Sequence, residues 1–450
     1  MSSAAPLVHN DQSDVIIKIG ENSYLSEEMA DFHFKFEIAD GQYERVPAHK
    51  IFLITASDVF RTMFNGTWDE NDEVEIVDAS VVEFKEFLQF FYLQQVKVSI
   101  SNVARVMYLG NKYNIAQCLS VCERFIINTL DENNVCWAYE LAIVYDQTKL
   151  KKYCETFIGI NTKVVLASDN FLKSDSKVLG HILKLNTLSC SENEIFEACM
   201  NWVKATAKVD QLTREIVQAQ LGELFYNIRF KSMTPQGFAA LVPSYGCLLS
   251  NDEYGDISQA IALQDFQPNI FSKKPRMSFE HFSCNMLICE RLVSTFYSSK
   301  PYVIQNIEKT RFSTNTPIFL LKVIADQTWK FANNTYSQIE ELATEITIVQ
   351  VPEPAHSGEE IVLHNEQNKI EKKERGMALT LIKPILIHPG LMYEIRLKQS
   401  PPAGCCVRAL LKSVVKMGSN VIVRFHGDPT VGEDKNARGM ILRLTFGEIY

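Results

Sequence analysis

The chain has 450 residues, with 45 basic and 54 acidic side chains and a formal net charge of −9. This length predicts about two to four domains, and the acidic balance without a basic run argues against a nucleic-acid partner, because Lys/Arg surfaces bind phosphate backbones. No apolar run approaches the roughly 18 residues of a membrane-spanning helix, and the 11 cysteines lack zinc-site spacing, which predicts reduced, buried thiols and no metal.

The first predicted domain covers residues 15–130. Residues 1–14 are polar and acidic, lack the features of a signal peptide and are predicted to be a disordered tail. Apolar side chains then alternate at Phe32, Phe34 and Phe36, which predicts a half-buried strand, and Asp40-Gly41 predicts a hairpin turn. Helical spacing follows over 51–64, 84–92, 103–113 and 115–130, so this region is predicted to be a compact α+β domain.

The periodicity and composition of the remaining chain change twice. Residues 131–265 show helical periodicity almost throughout, which predicts stacked helical hairpins. Residues 266–280 contain Gln267-Pro268-Asn269 and Lys273-Lys274-Pro275-Arg276 and are predicted to be a linker. From 281 to 450, short β-forming segments alternate with turn residues, which predicts an antiparallel β-sandwich. The predicted fold class is therefore a multidomain α+β protein.

Residues 15–130 resemble the BTB (or POZ) domain in an ordered series of segments. The series comprises Ala30–Phe34, Pro47–Leu53, Ala56–Phe64, Val74–Asp78, Phe84–Tyr92 and Ala104–Tyr113. Residues 131–265 resemble the BACK domain that often follows it, on Phe196–Val203 and Ile228–Phe238. Residues 281–450 resemble a divergent PHR domain, a β-sandwich, on Arg311–Ile324, Pro384–Leu397 and Val421–Tyr450.

The resemblance to BTB domains implies a homodimer with a self-complementary apolar face. The side chains expected to form this face are Tyr24, Leu25, Met29, Phe32, Phe52 and Ile54. For any one of them, a place in the core of the domain is an equal alternative. Asp31 and His49 are expected to form a buried polar pair beside the face. A catalytic His–Asp couple is rejected because no nucleophile motif accompanies it.

Trp68 and Glu70 fall where cullin-binding BTB proteins carry a hydrophobic residue, any residue and then glutamate. An exposed aromatic anchor with a neighbouring carboxylate has the character of an interface hot spot; the alternative is a tryptophan folded onto its own core. The same cullin-binding surface is expected to include Met63, Phe64, Tyr92, Lys112, Tyr113 and Asn114.

These resemblances together imply a substrate adaptor of a cullin-3 ubiquitin ligase. The expected location is the cytosol, with the nucleus as a further alternative. The C-terminal sandwich would hold a protein substrate, with Asp428, Lys435, Asn436 and Arg438 as candidate loop residues. The alternative is a BTB scaffold or transcriptional co-regulator that acts by self-association without cullin. No phosphate-binding loop, nucleophile elbow or HExxH motif is present, so neither an enzyme nor a cofactor is expected.

Overall fold

The computed structural model describes most of the chain between residues 13 and 448. The described ranges are 13–39, 41–65, 72–263, 265–276, 285–294, 302–303, 306–326, 329–332, 335–338, 344–351, 360–368, 372–373, 376–399, 405–407, 410–418, 420–426 and 440–448. They divide into two compact units. The first runs to Thr129 and includes Leu141–Leu150, and the second comprises Leu130–Glu140 and the chain from Lys151.

The first unit is a small sheet with helices packed on it. Its elements are α1 (Ser13–Ser23), β1 (Phe32–Ala39), β2 (Gln42–Ala48), α2 (Lys50–Ala56), α3 (Asp58–Asn65), β3 (Glu73–Glu75), α4 (Val81–Tyr92), α5 (Val103–Lys112) and α6 (Ala116–Asn128). The strand order is β2-β1-β3, antiparallel for β1 with β2 and parallel for β1 with β3. Phe32, Phe34 and Phe36 of β1 are buried, as their alternation predicted. The last two residues of the predicted tail, Ser13 and Asp14, lie in α1.

The helical region begins with α7 (Val135–Val144), through which the division of the units passes. Its further helices are α8 (Thr148–Ile160), α9 (Thr162–Leu166), α10 (Asp169–Leu172), α11 (Ser176–Lys184), α12 (Glu192–Ala207), α13 (Arg214–Leu221), α14 (Pro235–Tyr245) and α15 (Asn251–Ala262). Three short 3-10 helices, Gly222–Asn227, Phe230–Ser232 and Gly246–Leu248, connect them. Serine caps with a reciprocal glutamate start α12 and α15, which satisfies backbone donors that a helix start leaves unpaired.

The described part of the predicted linker, 266–276, packs on these helices. The Asp256 carboxylate accepts hydrogen bonds from the backbone N–H groups of Asn269 at 2.8 Å and Ile270 at 3.1 Å. The buried ring of Phe271 lies 4.7 Å from that of Phe230. Side-chain and backbone contacts therefore hold this segment against the helical region.

The C-terminal region is built of antiparallel sheets. Its strands are β4 (Asn285–Glu290), β5 (Leu292–Ser294), β6 (Tyr302–Val303), β7 (Ile307–Thr314), β8 (Ile318–Ala325), β9 (Trp329–Ala332), β10 (Thr335–Gln338), β11 (Thr344–Val351), β12 (Ile361–Asn368), β13 (Lys372–Lys373), β14 (Gly376–Ile387), β15 (Met392–Gln399), β16 (Cys405–Val407), β17 (Leu410–Leu411), β18 (Val414–Met417), β19 (Val421–His426) and β20 (Ile441–Glu448).

Two large sheets form the sandwich. One has the order β12-β11-β15-β7-β19-β18 and the other β13-β14-β8-β20-β4. Their inner faces share one apolar core, in which the ring of Phe312 on the first sheet lies 6.3 Å from that of Phe446 on the second. The predicted antiparallel sandwich is confirmed. Tyr153 of α8 contacts the connection between β7 and β8, where its hydroxyl donates to the Pro317 carbonyl at 2.9 Å.

Candidate protein-interaction surfaces

An aromatic cluster positions α3 in the first unit. The ring of Phe60 is buried and stacks on that of Tyr113 at 4.4 Å. The Ser57 hydroxyl donates to the Tyr113 carbonyl at 2.6 Å and accepts from the Phe60 backbone N–H at 3.2 Å. The start of α3 is thereby joined to the end of α5. Tyr113 is only 2% exposed, so it is a core residue that packs beneath the surface. The expectation that it contacts a partner is therefore wrong.

The far end of α3 carries Met63 and Phe64, which are half-buried. The ring of Phe64 packs on Phe32 at 4.7 Å and stacks on Phe60 at 6.0 Å. These contacts hold the C-terminal end of α3 against β1. The expected anchors Trp68 and Glu70 lie outside the described residues, so their role stays a prediction.

Lys112 and Asn114, at the end of α5, are exposed. The Lys112 ammonium donates to both oxygens of Asp78, at 3.0 and 2.8 Å, and the Tyr108 hydroxyl donates to the same carboxylate at 2.5 Å. Desolvation raises the pKa of Asp78, but the hydrogen bonds from Lys112 and Tyr108 outweigh it and leave the pKa below its usual value. Sequence reasoning missed the carboxylate of Asp78 as the centre of this cluster, although Asp78 ends a segment of the BTB resemblance.

The predicted buried pair of Asp31 and His49 does not form. Asp31 is exposed and its Oδ1 accepts from the backbone N–H of Lys50 at 2.7 Å, at the start of α2. His49 is buried, and its Nε2 lies 2.9 Å from the Glu28 carbonyl. A carbonyl only accepts, so Nε2 carries the proton and Nδ1 accepts from the Tyr92 hydroxyl at 3.2 Å. The side chain that joins the buried histidine is therefore Tyr92.

Tyr92 is a core residue, which corrects its assignment to the cullin-binding surface. Its hydroxyl also accepts from the His49 backbone N–H at 2.8 Å. Burial raises the pKa of Tyr92 to about 12, so the hydroxyl stays protonated at neutral pH. It can therefore act as donor to the ring and acceptor from the backbone at the same time.

Tyr92→Phe tests this bridge. The substitution keeps the ring, which lies 4.6 Å from Phe52, but leaves a buried N–H of His49 unsatisfied, at an expected cost of about 1–3 kcal/mol. Native-state hydrogen exchange of the amides in α2 measures this loss. Tyr43→Phe, at an exposed position of β2, serves as the control. Equal effects of the two substitutions would contradict the bridge.

Exposed apolar side chains occur on the elements expected to form the dimer face. Met29 is 86% exposed, and Tyr24, Leu25, Phe52 and Ile54 are half-buried. Phe32 is only 4% exposed, so it is a core residue and not part of the dimer face. A place in the core was the alternative that the sequence left open. Sequence reasoning missed Val15 and Ile19 of α1 and Ile51 of α2, which are also exposed. Val15 and Ile19 are four residues apart, a helical spacing that could have indicated this face.

The candidate substrate residues Asp428, Lys435, Asn436 and Arg438 lie outside the described residues, between β19 and β20. Within the described ranges, no cluster of His, Cys, Asp and Glu has the arrangement of a metal site. The same ranges contain no helix with the length and apolar character of a membrane span. The cysteines with described side chains are free thiols, and most are buried.

Comparison with known proteins locates two domain families. Residues 9–130 match the family model of the BTB/POZ domain, and residues 135–243 match that of the BACK domain, "BTB And C-terminal Kelch". BTB/POZ domain-containing protein 3 of Mus musculus is 27% identical over 299 residues, which are 65% of this chain and 54% of that protein. BTB/POZ domain-containing protein 6-A of Danio rerio is 30% identical over 219 residues, 48% of this chain and 40% of that protein.

The chain spans about half the length of the curated relatives it matches. Among solved structures, the BTB domain of human gigaxonin aligns with 28% of this chain and 99% of its own length. The sequence identity is 20% and the TM-score is 0.23.

Proposed function

We propose that this chain, which carries a BTB/POZ domain at 9–130 and a BACK domain at 135–243, is a dimeric substrate adaptor of a cullin-3 ubiquitin ligase. The observation that carries the proposal is the succession of these two domains, followed by an antiparallel sandwich. In this assignment the sandwich is a divergent PHR-like domain that recruits a protein substrate. The chain performs no chemistry and brings the substrate close to the ligase, in the cytosol.

Dimerisation is supported by the apolar side chains that the first unit exposes. Val15, Ile19, Met29 and Ile51 lie on α1, on α2 and on the segment between α1 and β1. Exposed apolar surface on neighbouring elements marks an interaction site, and a two-fold axis lets one such face cover its own copy. A dimer would also place two substrate sites in one assembly, which raises avidity without new contacts.

Cullin binding is supported by the surface at the ends of α3 and α5. Met63 and Phe64 are apolar and incompletely buried, while Lys112 is held by Asp78. Protein interfaces combine an apolar centre with polar and charged residues at the rim. The stacking of Phe60 on Tyr113 holds together α3 and the end of α5, which carry these side chains. Trp68 and Glu70 come shortly after the end of α3 in the sequence, and we assign them the roles of apolar anchor and orienting carboxylate.

The test is binding of the full chain to the purified N-terminal domain of cullin-3, measured by biolayer interferometry. Loss of a hot-spot anchor costs 2 kcal/mol or more, so Trp68→Ala with Glu70→Ala is expected to weaken binding at least about 30-fold. Glu37→Ala with Tyr43→Ala is the matched control, since it removes an exposed carboxylate and an exposed ring elsewhere in the unit. Undiminished binding by the first variant would exclude these residues as the anchor.

Light scattering of the same samples separates the two candidate functions. A dimer that does not bind the cullin domain would support the scaffold alternative, since self-association alone would then remain. A monomer that does not bind would contradict both.

A further inference from the structure

The outer face of the six-stranded sheet is basic, although the chain as a whole is acidic. Side chains alternate between the faces of a strand, and on β7 Phe312 and Thr314 are buried while Lys309 and Arg311 are not. The strand register places Arg396 beside Lys309, and His426 beside Arg311. We call this surface the basic face and define it by Lys309, Arg311, Arg396, Lys398, Lys416 and Arg424.

A buried carboxylate organises the centre of the basic face. The Glu394 side chain is 0% exposed, and it accepts from Nε of Arg311 and from Nε of Arg396, both at 2.6 Å. A buried carboxylate needs such partners to offset its desolvation. The consequence for the surface is that two guanidinium groups are held in place while both remain partly exposed. Binding an anion there requires little further loss of side-chain freedom.

Positive charge remains after the ion pairs of the basic face are counted. Arg396 also pairs with Glu360 at 2.6 Å, and Lys398 pairs with Glu345 at 3.1 Å. In the described part of the sandwich, neither Lys416 nor Arg424 has a carboxylate within ion-pair distance. Three carboxylates thus face six cationic side chains, and the excess charge attracts an anionic partner.

The arrangement of the cations fits an acidic peptide in an extended conformation. Lys309 and Arg311 are two residues apart on a strand, which separates them by about 7 Å. Alternate carboxylates of an extended peptide have the same separation, and a guanidinium binds a carboxylate with directed N–H groups. Among its described residues the face presents no exposed Phe, Tyr or Trp ring on which a nucleobase could stack.

We propose that the basic face binds an acidic, extended segment of a partner protein, with Arg311 and Arg424 as the principal contacts and Glu394 as the residue that positions Arg311. The identification of this acidic segment as part of the adaptor's substrate rests on the proposed function. Binding of the acidic segment needs no cullin, so the experiment can contradict this inference and the adaptor function independently of each other.

The test uses the full chain and a fluorescein-labelled peptide in which glutamate and serine alternate, with fluorescence anisotropy as the readout. The natural chain is expected to bind it in low salt and to lose affinity as salt screens the charges. Replacing Lys309, Arg311 and Arg424 together by glutamine is expected to weaken binding at least about tenfold, because charge-assisted hydrogen bonds are lost. A peptide with glutamine in place of glutamate is expected not to bind.

Control variants distinguish an effect of the basic face from a general effect of net charge. Lys173, Lys177 and Lys184 are exposed lysines of the helical region, and their joint replacement by glutamine makes the same change in net charge. This control is expected to alter affinity by less than about twofold. Arg424→Gln alone disturbs no ion pair of the described residues, so it provides a second variant if the triple replacement does not fold. It is expected to weaken binding about threefold.

Three outcomes would overturn the proposal. The first is an absence of salt-sensitive peptide binding by the natural chain, and the second is an equal loss in the lysine control. The third is tighter binding of oligouridine or of phosphatidylserine vesicles than of the peptide, which would assign the face to a nucleic acid or a membrane surface. A chain that binds the peptide but not the cullin domain would keep the basic face as a binding surface and remove the adaptor function.

Discussion

Phe60→Ala is expected to destabilise the first unit by about 3–5 kcal/mol, the usual cost of removing a buried phenylalanine ring. The ring is fully buried and lies within 6.0 Å of four other rings: those of Phe34, Phe64, Phe91 and Tyr113. Alanine would leave a cavity that these rings cannot all fill, since each is also held by its own element. Native-state hydrogen exchange in peptides covering β1 and α4 measures the loss within this unit.

The consequence of Phe60→Ala should extend to the candidate cullin-binding surface. Phe64 packs on Phe60 and on Phe32, so loss of one contact frees the end of α3. Val82→Ala is the control, because Val82 is 66% exposed and is expected to change stability by less than about 0.5 kcal/mol. Comparable losses for the two variants would show that the aromatic cluster does not hold the unit together.

Glu192→Ala is expected to destabilise the helical region by about 3–5 kcal/mol, because it leaves a buried charge without its partner. The Glu192 carboxylate accepts from Nε of Arg276 at 2.7 Å, and the exposed fractions of the two side chains are 0% and 6%. It also accepts from the backbone N–H of Arg229 at 2.7 Å. Hydrogen exchange in peptides covering α11 and α12 measures the effect, and the segment that contains Arg276 should lose protection as well.

A double substitution distinguishes a missing partner from a loss of packing. Replacing Glu192 and Arg276 together by leucine removes both charges, and such replacements of buried pairs recover much of the stability that a single substitution loses. Lys163→Gln is the surface control. Lys163 pairs with Glu194 at 2.9 Å in solvent, where water screens the attraction and the substitution is expected to change stability little. A double variant as unstable as Glu192→Ala would contradict the explanation by charge.

Local patterns predicted the elements and the order of the domains. The alternation of Phe32, Phe34 and Phe36 is a property of three neighbouring side chains, and it predicts a strand with one buried face wherever the core lies. The helical spacing of 131–265 and the short β-forming segments after 281 are equally local. They were sufficient to predict a helical region followed by an antiparallel sandwich.

Local sequence patterns do not predict which residues pair when they are distant in the chain. The resemblance to BTB domains supplied the positions Asp31 and His49 but not their geometry, and the partner of His49 is Tyr92, 43 residues further along the chain. The same applies to Glu394 and Arg311, which are 83 residues apart and meet because β7 and β15 are neighbours in register. A charged residue on a strand gives no sign of which residue lies beside it.

The sequence by itself determined which segments are helices and strands, the succession of the domains, and the acidic character of the chain. Periodicity and composition are carried by residues that are close in sequence, so they can be read without a fold. Only the tertiary structure decided that Tyr92 and Tyr113 support the core, that residues 266–276 are held on the helices, and that basic side chains from four strands form one surface. Those features depend on strand register and helix packing, which bring together residues that no local pattern connects.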